Sequence, residues 1–208
     1  MSGGDCEITR APLLKILQRE VDLKPASVDL ALYAAPVGFI ERREQRERDV
    51  HRLKVIGVSR TGRKVPPADA VHKTAALDRL LPGADYVILA VPLTPETRHL
   101  LSRARLDRMK PGAAVINIAR APVLDAEALA DKLSRGELAG AVLDVVEPEP
   151  LPPESPLWDA PNLLITPHIS CDDGEHYVDI SLDLWFANFA RFLEGKPLRN
   201  RVDSRRGY

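Results

Sequence analysis

The 208-residue chain lacks several things, and each shortage closes off a class of protein. It has two cysteines, Cys6 and Cys171, without metal-like spacing, which fits a reduced, cytoplasmic protein. Its formal net charge is −1, so bulk electrostatics gives no pull towards nucleic acid or a membrane surface. No apolar run approaches the ~18 residues a membrane span needs. No apolar region follows Met1, which predicts no secretory leader. No internal repeat is found. The 45% hydrophobic content is ordinary for a soluble globular protein, and the length fits one large domain, or one domain with an appendage.

Short apolar runs rich in β-branched residues alternate with helix-compatible stretches. Strands are predicted at Val28–Ala34, Leu53–Ser59, Asp85–Val91, Ala113–Ile118, Ala139–Val145 and Leu163–Thr166. Helices are predicted at Phe39–Leu53, Ser102–Met109, Asp125–Ser134 and Asp172–Leu193, and a short one is opened by Pro12. The Arg-rich run within Phe39–Leu53 is interleaved with acids, so it reads as a solvated helix face rather than an RNA contact. Alternating strands and helices imply an α/β fold, a doubly wound parallel sheet. Domain limits are expected at 28–193 for this unit, with an N-terminal extension or remnant at 1–27 and a polar tail at 194–208.

Glycine is missing from one turn where it matters. The turn after the first strand reads Tyr33-Ala-Ala-Pro-Val-Gly38. A turn that cradles a pyrophosphate has Gly-x-Gly-x-x-Gly, and here only Gly38 survives. After the second strand an acid would hold the ribose 2′-hydroxyl of NAD. Ser59 and Arg60 stand there instead, with Arg63 close behind, and suit a 2′-phosphate better.

The stretch Lys110–Asp125 organises the rest. A buried strand ends just before Arg120, whose planar fork matches a carboxylate. Asp144, Glu149 and His168 also lie at or just past predicted strand ends. In a parallel sheet those ends share one edge, where ligands bind. A histidine beside a carboxylate is held in one tautomer and its protonated form is favoured. Such a pair can deliver a proton to a carbonyl oxygen while a cofactor delivers hydride to carbon.

Four ordered stretches carry a resemblance: Val91-Pro-Leu-Thr-Pro-Glu-Thr97, Met109-Lys-Pro-Gly-Ala-Ala-Val-Ile-Asn-Ile-Ala-Arg120, Gly140-Ala-Val-Leu-Asp-Val-Val-Glu-Pro-Glu-Pro150 and Pro161-Asn-Leu-Leu-Ile-Thr-Pro-His-Ile-Ser170. In them the chain resembles the D-isomer-specific 2-hydroxyacid dehydrogenases over about Leu53–Leu193. The resemblance implies a Rossmann-like domain using NAD or NADP and a small 2-oxo or 2-hydroxy acid as substrate. It implies that Arg120 binds the substrate carboxylate, that His168 is the general acid/base and that Glu149 is its partner. It implies that Val91, Pro92, Thr97, Ile118, Ala119, Asp144 and Ser170 join Gly38, Ser59 and Arg60 around the dinucleotide. A homodimer built on this domain is implied too. Family members usually run beyond 300 residues with an N-terminal substrate domain, so most of that domain is expected to be missing here. Ala121 stands where the family usually has glycine. The other reading is a non-catalytic dinucleotide-binding or dimerising remnant, which the loss of the glycine-rich turn favours and the retained Arg120, Glu149 and His168 oppose.

Overall fold

The computed structural model describes residues 28–33, 54–64, 68–169 and 177–202. Seven strands are present: β1 Val28–Tyr33, β2 Lys54–Ser59, β3 Ala70–Lys73, β4 Tyr86–Ala90, β5 Ala114–Asn117, β6 Gly140–Leu143 and β7 Leu163–Ile165. They form one sheet in the order β3-β2-β1-β4-β5-β6-β7, and every ladder is parallel. The order reverses between β1 and β4, as in doubly wound dinucleotide-binding sheets, whose ligands lie beyond the carboxyl ends of the strands at that reversal.

Strand composition explains the layering. Val87, Leu89, Val115 and Leu143 enter one buried cluster with Leu77, Leu101, Leu106 and Leu129. Their strand neighbours Ile116 and Val142 form a second cluster, against which Ile88, Ile118 and Leu164 pack. Successive side chains point to opposite faces, so these strands are apolar on both sides, as parallel strands covered on both faces must be.

The described helices are α1 (Leu77–Leu80), α2 (Arg103–Leu106), α3 (Ala126–Ser134) and α4 (Tyr177–Leu193). In α3 the Asp125 carboxylate accepts a hydrogen bond of 2.9 Å from the Ala128 N–H and so caps the helix. Gly136, with φ +67°, follows the last turn as a C-terminal glycine does. Ala128, Leu129 and Leu133 are buried as the periodicity predicts. Lys132 is buried as well, 5% exposed, with its ammonium 2.8 Å from Asp107 and 2.7 Å from Glu137.

The structure differs from the sequence reading at several places, and α1 is covered by no predicted helix. β3 was not expected, because Ala-Val-His-Lys holds a single β-branched residue. α2 is shorter than Ser102–Met109, closing at Asp107. The apolar positions Tyr177, Ile180, Phe186 and Phe189 of α4, for which no burial was predicted, are exposed, and no residue of that helix is buried. The Gly38 turn, the helices expected at Pro12 and at Phe39–Leu53, residues 172–176 and Ser170 lie outside the described residues.

Candidate active site

The strand registers align Leu89 with Asn117, Asn117 with Leu143, and Leu143 with Ile165. The carboxyl ends of β4 to β7 therefore form one rim. Arg120 stands three residues beyond β5, Asp144 one beyond β6, and His168 three beyond β7.

His168 and Glu149 meet, with Nδ1 of the imidazole 3.2 Å from Oε2 of the carboxylate. Both side chains are about two-fifths exposed, 43% and 42%, so water and small solutes reach them. The other Glu149 oxygen accepts the Val146 N–H at 3.2 Å. The hydrogen bond with His168, followed by that from Val146, holds the Glu149 carboxyl below the usual range, and the charges of His168 and Arg120 add to this. Arg120 thus acts electrostatically on Glu149. A carboxylate can only accept, so Nδ1 of His168 donates and Nε2 is the nitrogen left for exchange.

The backbone at His168 is left-handed, φ +57°, a conformation that costs a residue with a side chain about 1–2 kcal/mol. It is held on both sides by Asp144, which is 2% exposed. Asp144 Oδ1 accepts from the Thr166 hydroxyl at 2.6 Å and from the Ile169 N–H at 3.0 Å. A buried carboxylate receiving two donors is a strong local anchor.

Asn117, 1% exposed, shapes the turn that carries Arg120. Its Oδ1 accepts the Ala119 N–H at 3.0 Å and its Nδ2 donates to the Arg120 carbonyl at 3.3 Å. Its signal was present in the sequence: one amide at the end of a wholly apolar strand. The Arg120 side chain is exposed and donates to the Ala119 carbonyl at 2.6 Å. Ala119 is buried and Ile118 half-buried, with the Ile118 N–H continuing the ladder to the Leu89 carbonyl at 3.1 Å.

The loop after β4 is tied by one hydroxyl. Thr97 Oγ1 donates to the Pro92 carbonyl at 2.6 Å and accepts the Thr94 N–H at 2.7 Å. Val91 is buried and Pro92 half-buried at its base. The hydroxyl of Thr94, then the Glu96 N–H, hold the Glu96 carboxyl below its usual range, and the charge of Arg60 contributes. The loops after β2 and β4 thus face each other across β1.

At the end of β2, Ser59 Oγ accepts the Gly62 N–H at 3.1 Å. Gly62 has φ +68°, and a Cβ there would come within 3.0 Å of Lys73 Cγ. Lys73 is in register with Ser59, so a cation missed by the sequence reading joins Ser59, Arg60 and Arg63 at one corner. It was missed because β3 was missed.

A cavity of about 410 Å³ opens between the end of β6 and the amino end of α3, with Asn117, Pro122, Asp125 and Leu143 among its walls. Arg120, Glu149 and His168 do not line it. Among the described residues no group of three or more His, Cys, Asp or Glu is arranged to hold a metal ion, and no helix is long and apolar enough to cross a membrane.

The family model described as "D-isomer specific 2-hydroxyacid dehydrogenase, NAD binding domain" matches residues 38–170. Among curated proteins, the glyoxylate/hydroxypyruvate reductase B of Pectobacterium carotovorum is 46% identical over 105 residues, which are 50% of this chain and 33% of that protein. Among solved structures, a D-isomer specific 2-hydroxyacid dehydrogenase from Xanthobacter autotrophicus, in complex with NADPH and MES, is 36% identical with a TM-score of 0.77. The match covers 94% of this chain and 81% of that one. An NADPH-dependent glyoxylate/hydroxypyruvate reductase from Sinorhizobium meliloti, in complex with NADP and sulfate, is 30% identical with a TM-score of 0.76, over 94% of this chain and 63% of its own. The chain spans between a third and about half the length of the curated relatives it matches first.

Proposed function

The chain belongs to the D-isomer specific 2-hydroxyacid dehydrogenase family, and on that premise we propose that it serves hydride transfer between NAD(P)H and a small 2-oxo or 2-hydroxy acid. The observation that carries the reading is the Glu149–His168 pair, accessible to solvent and within the field of Arg120, on the carboxyl rim of a parallel sheet. In this reading the unit spans 28–193, acts in the cytoplasm and works as a homodimer.

The residues fit a dinucleotide. The sheet reverses order between β1 and β4, which opens a crevice for one. Val91, Pro92, Ile118 and Ala119 line its floor. Thr97 keeps the β4 loop in shape, and Asp144 fixes the turn before Ser170. Ser59, Arg60 and Lys73 offer a hydroxyl and two cations where a ribose substituent lies, which favours the 2′-phosphate of NADP. Both solved relatives named above hold NADPH or NADP. Gly38 belongs to the same binding set. When bound, the reduced cofactor supplies hydride to the substrate's carbonyl carbon.

Arg120 binds the substrate carboxylate through paired N–H donors and so orients the adjacent carbonyl. His168 passes the proton on Nε2 to the carbonyl oxygen as it becomes hydroxyl, and takes it back in the oxidative direction. Glu149 holds the imidazole in the required tautomer and orientation.

Titration calorimetry with NADPH and NADH, followed by NADPH oxidation with glyoxylate or hydroxypyruvate, tests the proposal. The expected result is tighter binding of NADPH and turnover that His168→Ala suppresses. Binding without turnover would favour the remnant reading. Equal rates for parent and His168→Ala would refute the assigned roles.

A further inference from the structure

One level of the sheet, across β4 to β7, is apolar with a single exception. The registers align Leu89, Asn117, Leu143 and Ile165, and residues in register share a face. Leu89 and Leu143 are buried, and Asn117 is as deeply buried between them. An amide in such a row costs free energy unless its polar atoms are bonded. Both of them are bonded to the Arg120 turn. Oδ1 accepts the Ala119 N–H and Nδ2 donates to the Arg120 carbonyl, which also accepts the Val123 N–H at 3.1 Å.

The guanidinium is only half engaged. Among the described residues its hydrogen bond runs from Nη1 to the Ala119 carbonyl, at 2.6 Å. The edge formed by Nε and Nη2 stays open, and that edge carries two parallel N–H donors, which a carboxylate takes together. The carbonyl that holds Nη1 belongs to the peptide joining Ala119 to Arg120. The Asn117 amide grips the chain on each side of that peptide.

We infer that Asn117 is a positioning residue: its amide fixes the Ala119–Arg120 peptide so that the Nε–Nη2 edge of Arg120 meets the substrate carboxylate at a set separation from His168. This deepens the proposed function and rests on it for Arg120 as the group that binds the carboxylate.

A line of hydrogen bonds joins the two arms. The Asn117 carbonyl accepts the Asp144 N–H at 3.0 Å. Asp144 in turn accepts from the Thr166 hydroxyl and the Ile169 N–H, which lie on either side of His168 in the chain. The side chain that holds the Arg120 turn and the one that holds the His168 turn are thus bonded neighbours at the ends of β5 and β6. In a 2-oxo acid the carboxylate adjoins the carbonyl, so the group that grips the first and the group that protonates the second must keep a fixed separation. A leucine at 117 would continue the apolar row. It would also leave the N–H of buried Ala119 without its acceptor and release the peptide against which Arg120 rests.

Oxamate, a carboxylate with a carbonyl beside it, is the probe. In protein carrying isotope-labelled arginine, the Arg120 Nε–H resonance is assigned by its loss in Arg120→Lys. It is then followed by NMR as oxamate is added, with and without NADPH. The expected result is a shift in the parent and binding about tenfold weaker in Asn117→Leu, with circular dichroism unchanged. In NADPH oxidation with glyoxylate, the same variant should raise KM about tenfold and leave kcat within about threefold, the signature of a lost ground-state grip. In an Arg120→Lys background the change at 117 should cost less than about threefold, because an ammonium on a flexible stem needs no fixed fork. If Asn117→Leu does not fold, Asn117→Asp keeps the acceptor for Ala119, loses the donor to Arg120, and should show the same weakening.

An Arg120 resonance that ignores oxamate in the parent overturns the inference. So do oxamate binding and KM that match the parent in a folded variant, and an equal loss in the Arg120→Lys background, which would mark general loosening. A loss confined to NADPH binding overturns it too, by assigning Asn117 to the cofactor floor. Oxamate binding that depends on Asn117 in a protein without turnover would fail the hydride-transfer reading and uphold this one.

Discussion

Lys132 on α3 and His168 beyond β7 both pair with carboxylates, and they are built in opposite ways. Lys132 is 5% exposed and lies between Asp107 at the end of α2 and Glu137 just past α3. Burial works against its charge, but the two hydrogen bonds outweigh it and raise its pKa. His168 keeps 43% of its side chain in solvent, has one carboxylate neighbour at 3.2 Å, and sits on left-handed backbone. The first cluster ties two elements together. The second leaves a titratable nitrogen within reach and tolerates strain to do so, as functional sites do. One is arranged for stability and the other, in the proposed function, for chemistry.

His168→Ala should show the largest effect. Turnover with a 2-oxo acid falls at least 100-fold, within the range for loss of a general acid, while the urea midpoint stays near the parent's. A large loss of stability with turnover retained would erase the contrast. Lys132→Met comes next. It leaves Asp107 without its ammonium partner, while Glu137 keeps Arg135 at 3.0 Å, and should lower the urea midpoint with kcat/KM unchanged. A third variant, His168→Gly, removes the strain as well as the imidazole, so the protein should unfold about 1 kcal/mol less readily than the parent while being inactive.

The smallest effect is in acid. The Glu149 carboxyl is held below its unfolded range by His168 first and then by the Val146 N–H. Its contribution is therefore complete above the ordinary carboxylate range and is lost as pH falls through the lowered value. Glu149→Gln should flatten that part of the acid stability curve, checked by thermal unfolding between about pH 6 and pH 3. An identical curve would show that the pair adds nothing to the fold.

How much of this was legible in the sequence depended on whether a signal was local. β4, β5 and β6 are continuous apolar runs, and α3 carries its own N-cap and terminal glycine at Asp125 and Gly136. Each was read nearly to its ends. β3 was missed because its four residues gain their strand state from pairing with β2 rather than from their own preference. Lys73 was missed with it. Lys132 was not singled out, since no local pattern tells that two carboxylates will close over an ammonium. Arg120, Glu149 and His168 were singled out by their places after strand ends and by the family resemblance. The Glu149–His168 contact spans 19 residues, which no spacing rule connects.

The parallel sheet has a consequence for assembly. β1, first of the described strands to leave the ribosome, ends up bonded on one edge to β2 and on the other to β4. It must wait for more than fifty further residues before both its edges are closed, and such long-range closure is slow. Erasing the pairing of 28–33 alone would divide the platform into a two-stranded and a four-stranded fragment, parting the cationic corner at Ser59 from the rim that carries His168.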